Sequence, residues 1–532
     1  MGSRKDDITN GERAQIVIEM LHPDRPWGKV TNLAREYGIS RETVYNIAAK
    51  GEHALLAGLE PGGYGPQPPK TRVTVTRNRL VRGAVVLASE GVSQRGITRC
   101  LAELVDTERS LGWVNGELAK AEQAAAQVNA DWQPSVGETL SGDEIYSHGA
   151  PNLMVVGNDS LYIYALTRQE RCDGGTWQSV LLDCPETPQF ASDAGTGLAA
   201  GVKAAGIAPH QLDWDHLLRP LWAQATRLEK QAYAALQDVE ERADKFDQAH
   251  TPKRLANHLA VWERLSAKAA GKITRYDDLV TLAEQVDAQF GLIDITSGEI
   301  HDPVAGAEVL RQVGQELQGW EGRIYQKLSR NLTNWADALF NYHPVLQDAF
   351  APVVARWGQE AVRALSRIWQ IEADEKRHPQ PVAERQVRQD VWEQSLDTAY
   401  ALLGSQELWS AWADVNQVLD RSWRGSMLAE CVNGLARPIL RNRQHTDQGC
   451  LELFRFLHNV HIFERGKRAN WSPAQLVGID VPADVLTLLG LDPKAEPESA
   501  DKQADRIPAA PPVSAFAEFF AAPVQERQKV SI

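Results

Sequence analysis

The chain has 532 residues, 43% of them hydrophobic and 24% charged, with 56 Lys/Arg against 70 Asp/Glu and a net charge of −14. That length exceeds one hydrophobic core, so three or more domains are expected, and the acidic balance argues against a protein that coats nucleic acid indiscriminately. The five cysteines (Cys100, Cys172, Cys184, Cys431 and Cys450) form no Cys-x-x-Cys pair, which argues against a disulfide framework or a cysteine zinc site. No run of eighteen apolar residues occurs and the first seven residues lack an apolar signal region, so a cytoplasmic protein without membrane spans is expected. Charge is unevenly spread: the first hundred residues carry 15 Lys/Arg against 10 Asp/Glu, a mildly basic start on an acidic chain.

Residues 11–50 read as helices, with Ile16, Val17 and Met20 on one apolar face. Further on, Leu33, Ala34 and Tyr37 fall at helical spacing, Gly38 suits a left-handed turn, and Ser40 is an N-cap for a helix bearing Val44 and Ile47. This order resembles the helix-turn-helix heads of repressors and transposases. The resemblance implies a DNA-binding domain over 1–60, with Ser40, Arg41, Glu42, Thr43 and Tyr45 beginning the recognition helix. A helical hairpin without a DNA role is the alternative. A Pro/Gly-rich linker follows at 61–76. Residues 77–130 resemble a second such unit, with helices from Arg79 to Ala88 and from Gln94 to Leu104, a break at Gly91 and a cap at Ser93; a purely structural role is the alternative.

From 131 to 216 the periodicity changes. Glu138 to Tyr146, Asn152 to Gly157 and Leu161 to Leu166 are β-rich runs, with Gly157-Asn158-Asp159 as a hairpin turn. A helix at Thr176–Leu182, a strand ending at Asp193, a helix after Gly197 and a short run at His210–Asp213 follow. Three meandering strands and then alternating helix and strand is the order of an RNase H-like domain. Residues 217–422 lack strand signal and hold amphipathic runs at Leu218–Phe246, Val304–Leu328 and Ala383–Leu403, with most of the sixteen tryptophans in or just beyond them. Residues 423–488 return to the core as helices, and 489–532 read as a disordered tail with Phe516, Phe519 and Phe520 as an apolar cluster.

Phosphodiester chemistry with two metal ions needs convergent carboxylates, because the ions take oxygen ligands and sit roughly 3.5–4 Å apart. Asp143 lies in the first strand and Asp193 at the tip of the fourth, which are neighbours in the RNase H topology. Ser192-Asp-Ala-Gly-Thr-Gly-Leu198, Leu212-Asp-Trp-Asp-His216 and Trp423-Arg-Gly-Ser-Met-Leu-Ala-Glu430-Cys-Val-Asn433-Gly-Leu-Ala-Arg437 together resemble the motifs of bacterial DDE transposases, related in fold to retroviral integrases. Glu430, Asn433 and Arg437 share one helix face. The resemblance implies that Asp143, Asp193 and Glu430 bind Mg²⁺ (Mn²⁺ substituting) and catalyse strand cleavage and transfer. It also implies that Arg437, Arg441 and Arg443 contact double-stranded DNA, and that a homodimer or larger assembly pairs element ends with target DNA on the bacterial nucleoid. The roughly 240 residues between Asp193 and Glu430 fit a helical insertion.

Alternatives stand beside these assignments. Glu144 adjoins Asp143, although successive strand residues face opposite ways, and Asp213 and Asp215 compete with Asp193. His458, His461 and Glu464 repeat every three residues, as a metal site or as packing. Arg465, Lys467 and Arg468 extend the basic stretch. The expected fold is multidomain α + α/β: helix-turn-helix units, then an RNase H-like mixed-sheet core split by a large all-α insertion. The rival functions are a catalytically inactive, domesticated DNA-binding regulator and a nuclease without strand transfer.

Overall fold

A computed structural model describes residues 8–22, 25–59, 75–132, 134, 137–184, 186–245, 251–377, 382–442 and 446–493. The chain divides into two compact units, Met1–Val75 and Thr76–Ile532.

The described residues of the first unit form three helices: α1 (Asn10–Leu21), α2 (Lys29–Glu36) and α3 (Arg41–Leu59). Thr9 and Glu12 close a capping box at the start of α1, satisfying two N–H groups that helix geometry orphans. Ile16, Met20, Leu33, Ile39, Val44 and Ile47 bury themselves in one small core. Gly38 takes φ 63° between α2 and α3, a left-handed conformation cheap only for glycine. Ser40 Oγ accepts from the Thr43 N–H at 3.0 Å. Arg41 and Tyr45 are exposed and Thr43 is half-buried.

The second unit opens with α4 (Arg77–Ser89), α5 (Gln94–Val105) and α6 (Leu111–Asp131); the Ser93 cap holds, accepting from the Gly96 N–H at 3.2 Å. A five-stranded mixed sheet follows, built from β1 (Leu140–Ser147), β2 (Ala150–Gly157), β3 (Ile163–Arg168), β4 (Phe190–Ser192) and β5 (His210–Leu212) in the order β3-β2-β1-β4-β5. The β1–β2 and β2–β3 pairs are antiparallel, whereas β1–β4 and β4–β5 are parallel. The first hairpin turns on His148 and Gly149, both at positive φ, which matches the strand twist. Helices α7 (Gly174–Leu182) and α8 (Thr196–Ala204) cover one face through Trp177, Val180, Leu198 and Val202. Helices α16 (Met427–Asn442) and α17 (Gln448–Val460) cover the other through Val432, Ala436, Leu451 and Phe454. Alternation along β2 explains this: Leu153 and Val155 face the first layer, Met154 and Val156 the second.

Between β5 and α16 lies an all-helical region: α9 (Asp215–Ala243), α10 (Pro252–Ala288), α11 (Pro303–Gln318), α12 (Arg323–Trp335), α13 (His343–Trp357), α14 (Gln359–Arg377) and α15 (Val382–Asp420). One large apolar core joins them, and α15 kinks at Gly404, φ 68°. The chain closes with a short helix, α18 (Pro473–Leu476), and a 3₁₀ turn at Val485–Leu489.

Several sequence expectations change. The run Val304–Leu328 is two helices, because Gly322 sits at φ 122°, outside what a side chain tolerates. The first strand begins at Leu140, and Glu138 instead caps the β2–β3 turn. Its carboxylate accepts from the N–H groups of Asp159 and Ser160 and from the Ser160 and Tyr164 hydroxyls at 2.7–2.9 Å. Helix α17 stops at Val460, so His458, His461 and Glu464 do not share a helix face; buried His458 pairs with the Leu161 carbonyl at 2.9 Å. Residues 489–493, read as the start of the tail, are packed: Leu489 and Leu491 are buried, and Arg82 donates to the Leu491 carbonyl at 2.7 Å. Arg443, most of the linker, and Phe516, Phe519 and Phe520 lie outside the described residues.

Candidate functional site

Register brings the first two carboxylates together. β1 and β4 pair in parallel with Leu140 opposite Phe190 and Gly142 opposite Ser192. The next residues along the two chains are Asp143 and Asp193, near enough for the charge of Asp193 to act on Asp143. Gly142 is required for this approach, since a Cβ there would lie 2.7 Å from the Phe190 ring. Asp193 directly follows β4, and its Oδ1 accepts from the Gly195 N–H at 2.9 Å. Asp143 and Glu144 take opposite faces of β1. Asp143 Oδ2 accepts from Asn433 Nδ2 on α16 at 2.7 Å, while Glu144 lies toward Cys172 on the α7–α8 side.

The third carboxylate is set by a clamp at the start of α16. Asp213, 2% exposed, accepts through Oδ2 from the Ser426 N–H at 2.7 Å and the Ser426 hydroxyl at 2.9 Å, and through Oδ1 from the Asp215 N–H at 2.7 Å. A buried anion at a helix N-terminus also meets the positive end of the helix dipole. The flanking residues complete the clamp. The Trp423 carbonyl accepts from Gln189 Nε2 at 2.7 Å, and its indole N–H donates to Asp159 at 3.1 Å. The Arg424 carbonyl accepts from the Trp214 N–H at 3.2 Å. A Cβ on Gly425 would lie 2.7 Å from Asp213 Oδ1. Asp213 is therefore a fastening between β5 and α16, which removes it as a rival to Asp193. This fastening sets Glu430 in the first turn of α16.

Basic groups compensate the carboxylates. His216 Nδ1 lies 3.6 Å from Asp213 and its Nε2 3.7 Å from Glu430. Arg219 sits 3.7 Å from Glu430 and pairs with Asp215. The Asp213 carboxylate beside it raises His216 to about 9, against burial and helped by the charges of Asp193 and Glu430, so it is an imidazolium at neutral pH. Asp143 is raised to about 6 by burial; the Asn433 and Glu144 N–H donors pull it down and the charges of Asp193 and Glu430 push it up. Burial pushes Asp213 up too, but His216 and the Ser426 and Asp215 N–H groups hold it below the usual carboxylate range.

Three hard oxygen donors with crowded negative charge suit Mg²⁺ or Mn²⁺, and Asp143, Asp193 and Glu430 are the residues that would hold them. Among the described residues, no three His, Cys, Asp or Glu side chains stand close enough to enclose an ion as arranged here. Beside the site opens a cavity of about 600 Å³ lined by Trp222, Trp369, Trp423 and Phe290. Arg424 and Arg377 stack on Phe290, 3.8 and 3.9 Å from its ring centre. Burial lowers Arg424 to about 10, which leaves it charged at neutral pH. Flat aromatic walls with fixed cations offer stacking and charge pairing to a planar anionic ligand.

Of the predicted basic residues, Arg437 and Arg441 are exposed on α16 and line a smaller hollow with Glu144 and Tyr146. Arg465 is also exposed. Arg468 is spent on the Asn158 and Asp159 carbonyls at 2.6 Å, and Lys467 pairs with Asp420 at 2.7 Å. No family model matches the chain, and no curated protein matches it. Sequence reasoning missed the fastening role of Asp213 and the position of Arg219. The available signal was the short spacing: His216 and Arg219 lie three and six residues after Asp213, in the first turns of α9.

Proposed function

We propose that this chain is a DNA transposase that binds element ends and catalyses metal-dependent strand cleavage and strand transfer. The observation that carries the reading is the closeness of Asp143 in β1 to Asp193, just after the parallel strand β4, with the Glu430 helix fastened beside them. The strand order β3-β2-β1-β4-β5, with three antiparallel strands followed by two parallel ones, supports an RNase H-like core, and residues 217–422 would be its helical insertion. Bound Mg²⁺ or Mn²⁺ would activate a water or a DNA 3′-OH and stabilise the leaving oxygen. The chain's own part is to position. Asn433 orients Asp143, Asp213 holds the start of α16, and His216 and Arg219 steer Glu430 while neutralising charge that would repel a phosphate. The aromatic cavity would receive an unstacked base next to the reacting phosphate. In the first unit, Ser40, Arg41, Thr43 and Tyr45 would read the element ends, with Arg437 and Arg441 on the backbone. Pairing two ends calls for a dimer or larger assembly, on the nucleoid of a bacterial cytoplasm.

The test is Mg²⁺- or Mn²⁺-dependent cleavage and strand transfer on DNA carrying the ends of the encoding element. Asp193→Asn and Glu430→Gln should each lose about a thousandfold in rate, because several kcal/mol of charge stabilisation goes and each 1.36 kcal/mol is tenfold. DNA binding in chelator should persist in both. A second reading, a catalytically inactive regulator, draws on the contacts of Glu430 with His216 and Arg219. Tight, specific binding by the wild type without cleavage under either metal would favour it.

A further inference from the structure

Residues 215–420 carry 22 Lys/Arg against 31 Asp/Glu, yet one concavity in this acidic region is strongly basic. A cavity of about 600 Å³ between α9, α10 and the α11–α12 turn is lined by Arg227, Lys268, Lys272, Arg275 and Arg323, with Glu321 the one carboxylate among its lining residues. These cations are poorly neutralised. Lys268 is 4.0 Å from Asp238, and Lys272 reaches only the Gln231 carbonyl at 3.4 Å. Arg227 and Arg323 are exposed. Arg275 is held in position by its stack on Trp320 and Tyr325, 5.1 and 5.3 Å from the ring centres, and by donation to the Glu321 carbonyl at 3.2 Å. In an acidic protein, holding five positive groups round one hollow costs repulsion, which an anion relieves.

The layout is a row rather than a single-anion pocket. Lys268, Lys272 and Arg275 fall at i, i+4 and i+7 on α10, so they span about 10 Å along the helix. With a phosphate every 3.4 Å of rise along one DNA strand, that length matches about three phosphates. Arg227 lies 12 residues beyond Asp215, about 18 Å along α9, and its side of the helix is turned about 120° from that of Asp215. The groove therefore lies apart from the carboxylates, on another side of α9.

We propose that this groove grips the phosphodiester backbone of a second duplex DNA segment, independently of sequence; the inference rests on the DNA-processing reading above. The test uses the full chain. Lysine acetylation followed by mass spectrometry is compared with and without a random-sequence duplex, and the salt dependence of DNA binding is measured in parallel. Duplex DNA should protect Lys268 and Lys272 while leaving the exposed Lys230 reactive. The triple variant R227Q/K272Q/R323Q should lower the slope of log affinity against log salt by about 2–3, since each neutralised phosphate contributes about 0.9. Lys230→Gln, outside the groove lining, should leave that slope unchanged. Unprotected lysines with an unchanged slope would overturn the proposal. Protection by tripolyphosphate but not by duplex would also overturn it, in favour of a small-anion site. Protection and the lower slope in a wild-type protein that cleaves no DNA under either metal would uphold the groove and defeat the transposase reading.

Discussion

Asp213→Asn should be among the most damaging single substitutions in the Thr76–Ile532 unit, lowering its stability by about 3–5 kcal/mol, the cost of breaking a buried charge arrangement by removing one partner. The amide is isosteric, so no cavity forms. It loses the charge facing His216 and turns an N–H₂ group toward donors that need an acceptor: the Ser426 N–H and hydroxyl at one oxygen, the Asp215 N–H at the other. Denaturant midpoints measure the loss. A histidine NMR titration measures its cause, because His216 should fall from about 9 toward its ordinary value once its first stabilising partner has gone. A group raised in the fold contributes stability that is complete below its unfolded value and is lost as pH rises through the folded one. The His216 share of the deficit should therefore be full below pH 6.5, shrink from there to about pH 9, and be gone above it. Cleavage should fall as well, since the start of the Glu430 helix would no longer be fastened to β5. An Asp213→Asn protein with a wild-type midpoint, or one in which His216 still titrates near 9, would show that the clamp does not hold α16.

The sequence disclosed what depends on local periodicity. Alternation at Leu153–Val156, the Gly38 turn, the Ser40 and Ser93 caps and the strandless stretch after His216 are each written within a few residues, and the structure has strands, turn and helices there. The break at Gly322 was hidden because a glycine inside an amphipathic run reads equally as a tolerated interruption and as a stop; only its backbone angle distinguishes them. At the site, the carboxylates could be proposed from motif order, but their partners could not. Asp213 is joined to Ser426 across 213 positions, and Asn433 to Asp143 across 290, distances at which spacing carries no information. The same limit explains why Asp213 read as a rival ligand: an acidic residue at a strand end looks alike whether its oxygens face a metal or a helix N-terminus. Arg468 shows the same limit, since a basic cluster does not reveal which carbonyls its members serve.

Asp143→Asn should do the reverse of Asp213→Asn and stabilise the metal-free protein. Burial and the charges of Asp193 and Glu430 raise Asp143 to about 6 from an ordinary 3.8, and each unit of that shift is about 1.4 kcal/mol. Because the folded carboxyl holds its proton more tightly than the unfolded one, its contribution to stability is present at low pH and is lost as pH rises through about 6. The neutral amide escapes that loss. Its advantage over the wild type should be absent below pH 4, widen up to about pH 6, and level off above that at no more than about 3 kcal/mol. Asn433 can turn its amide to meet the new one, for its Oδ1 is buried without a hydrogen-bond partner. Divalent cations should then invert the ranking. Mg²⁺ or Mn²⁺ binding only the native state raises stability by mass action and must displace the Asp143 proton. Wild-type thermal stability should thus respond to metal at pH 7.5 and lose about tenfold in apparent affinity per unit below pH 6, while Asp143→Asn should barely respond. Thermal unfolding across pH, with metal and with chelator, separates the cases. A wild-type protein indifferent to both cations at pH 7.5, yet still less stable than Asp143→Asn, would mean that the carboxylates crowd together for some purpose other than holding a metal.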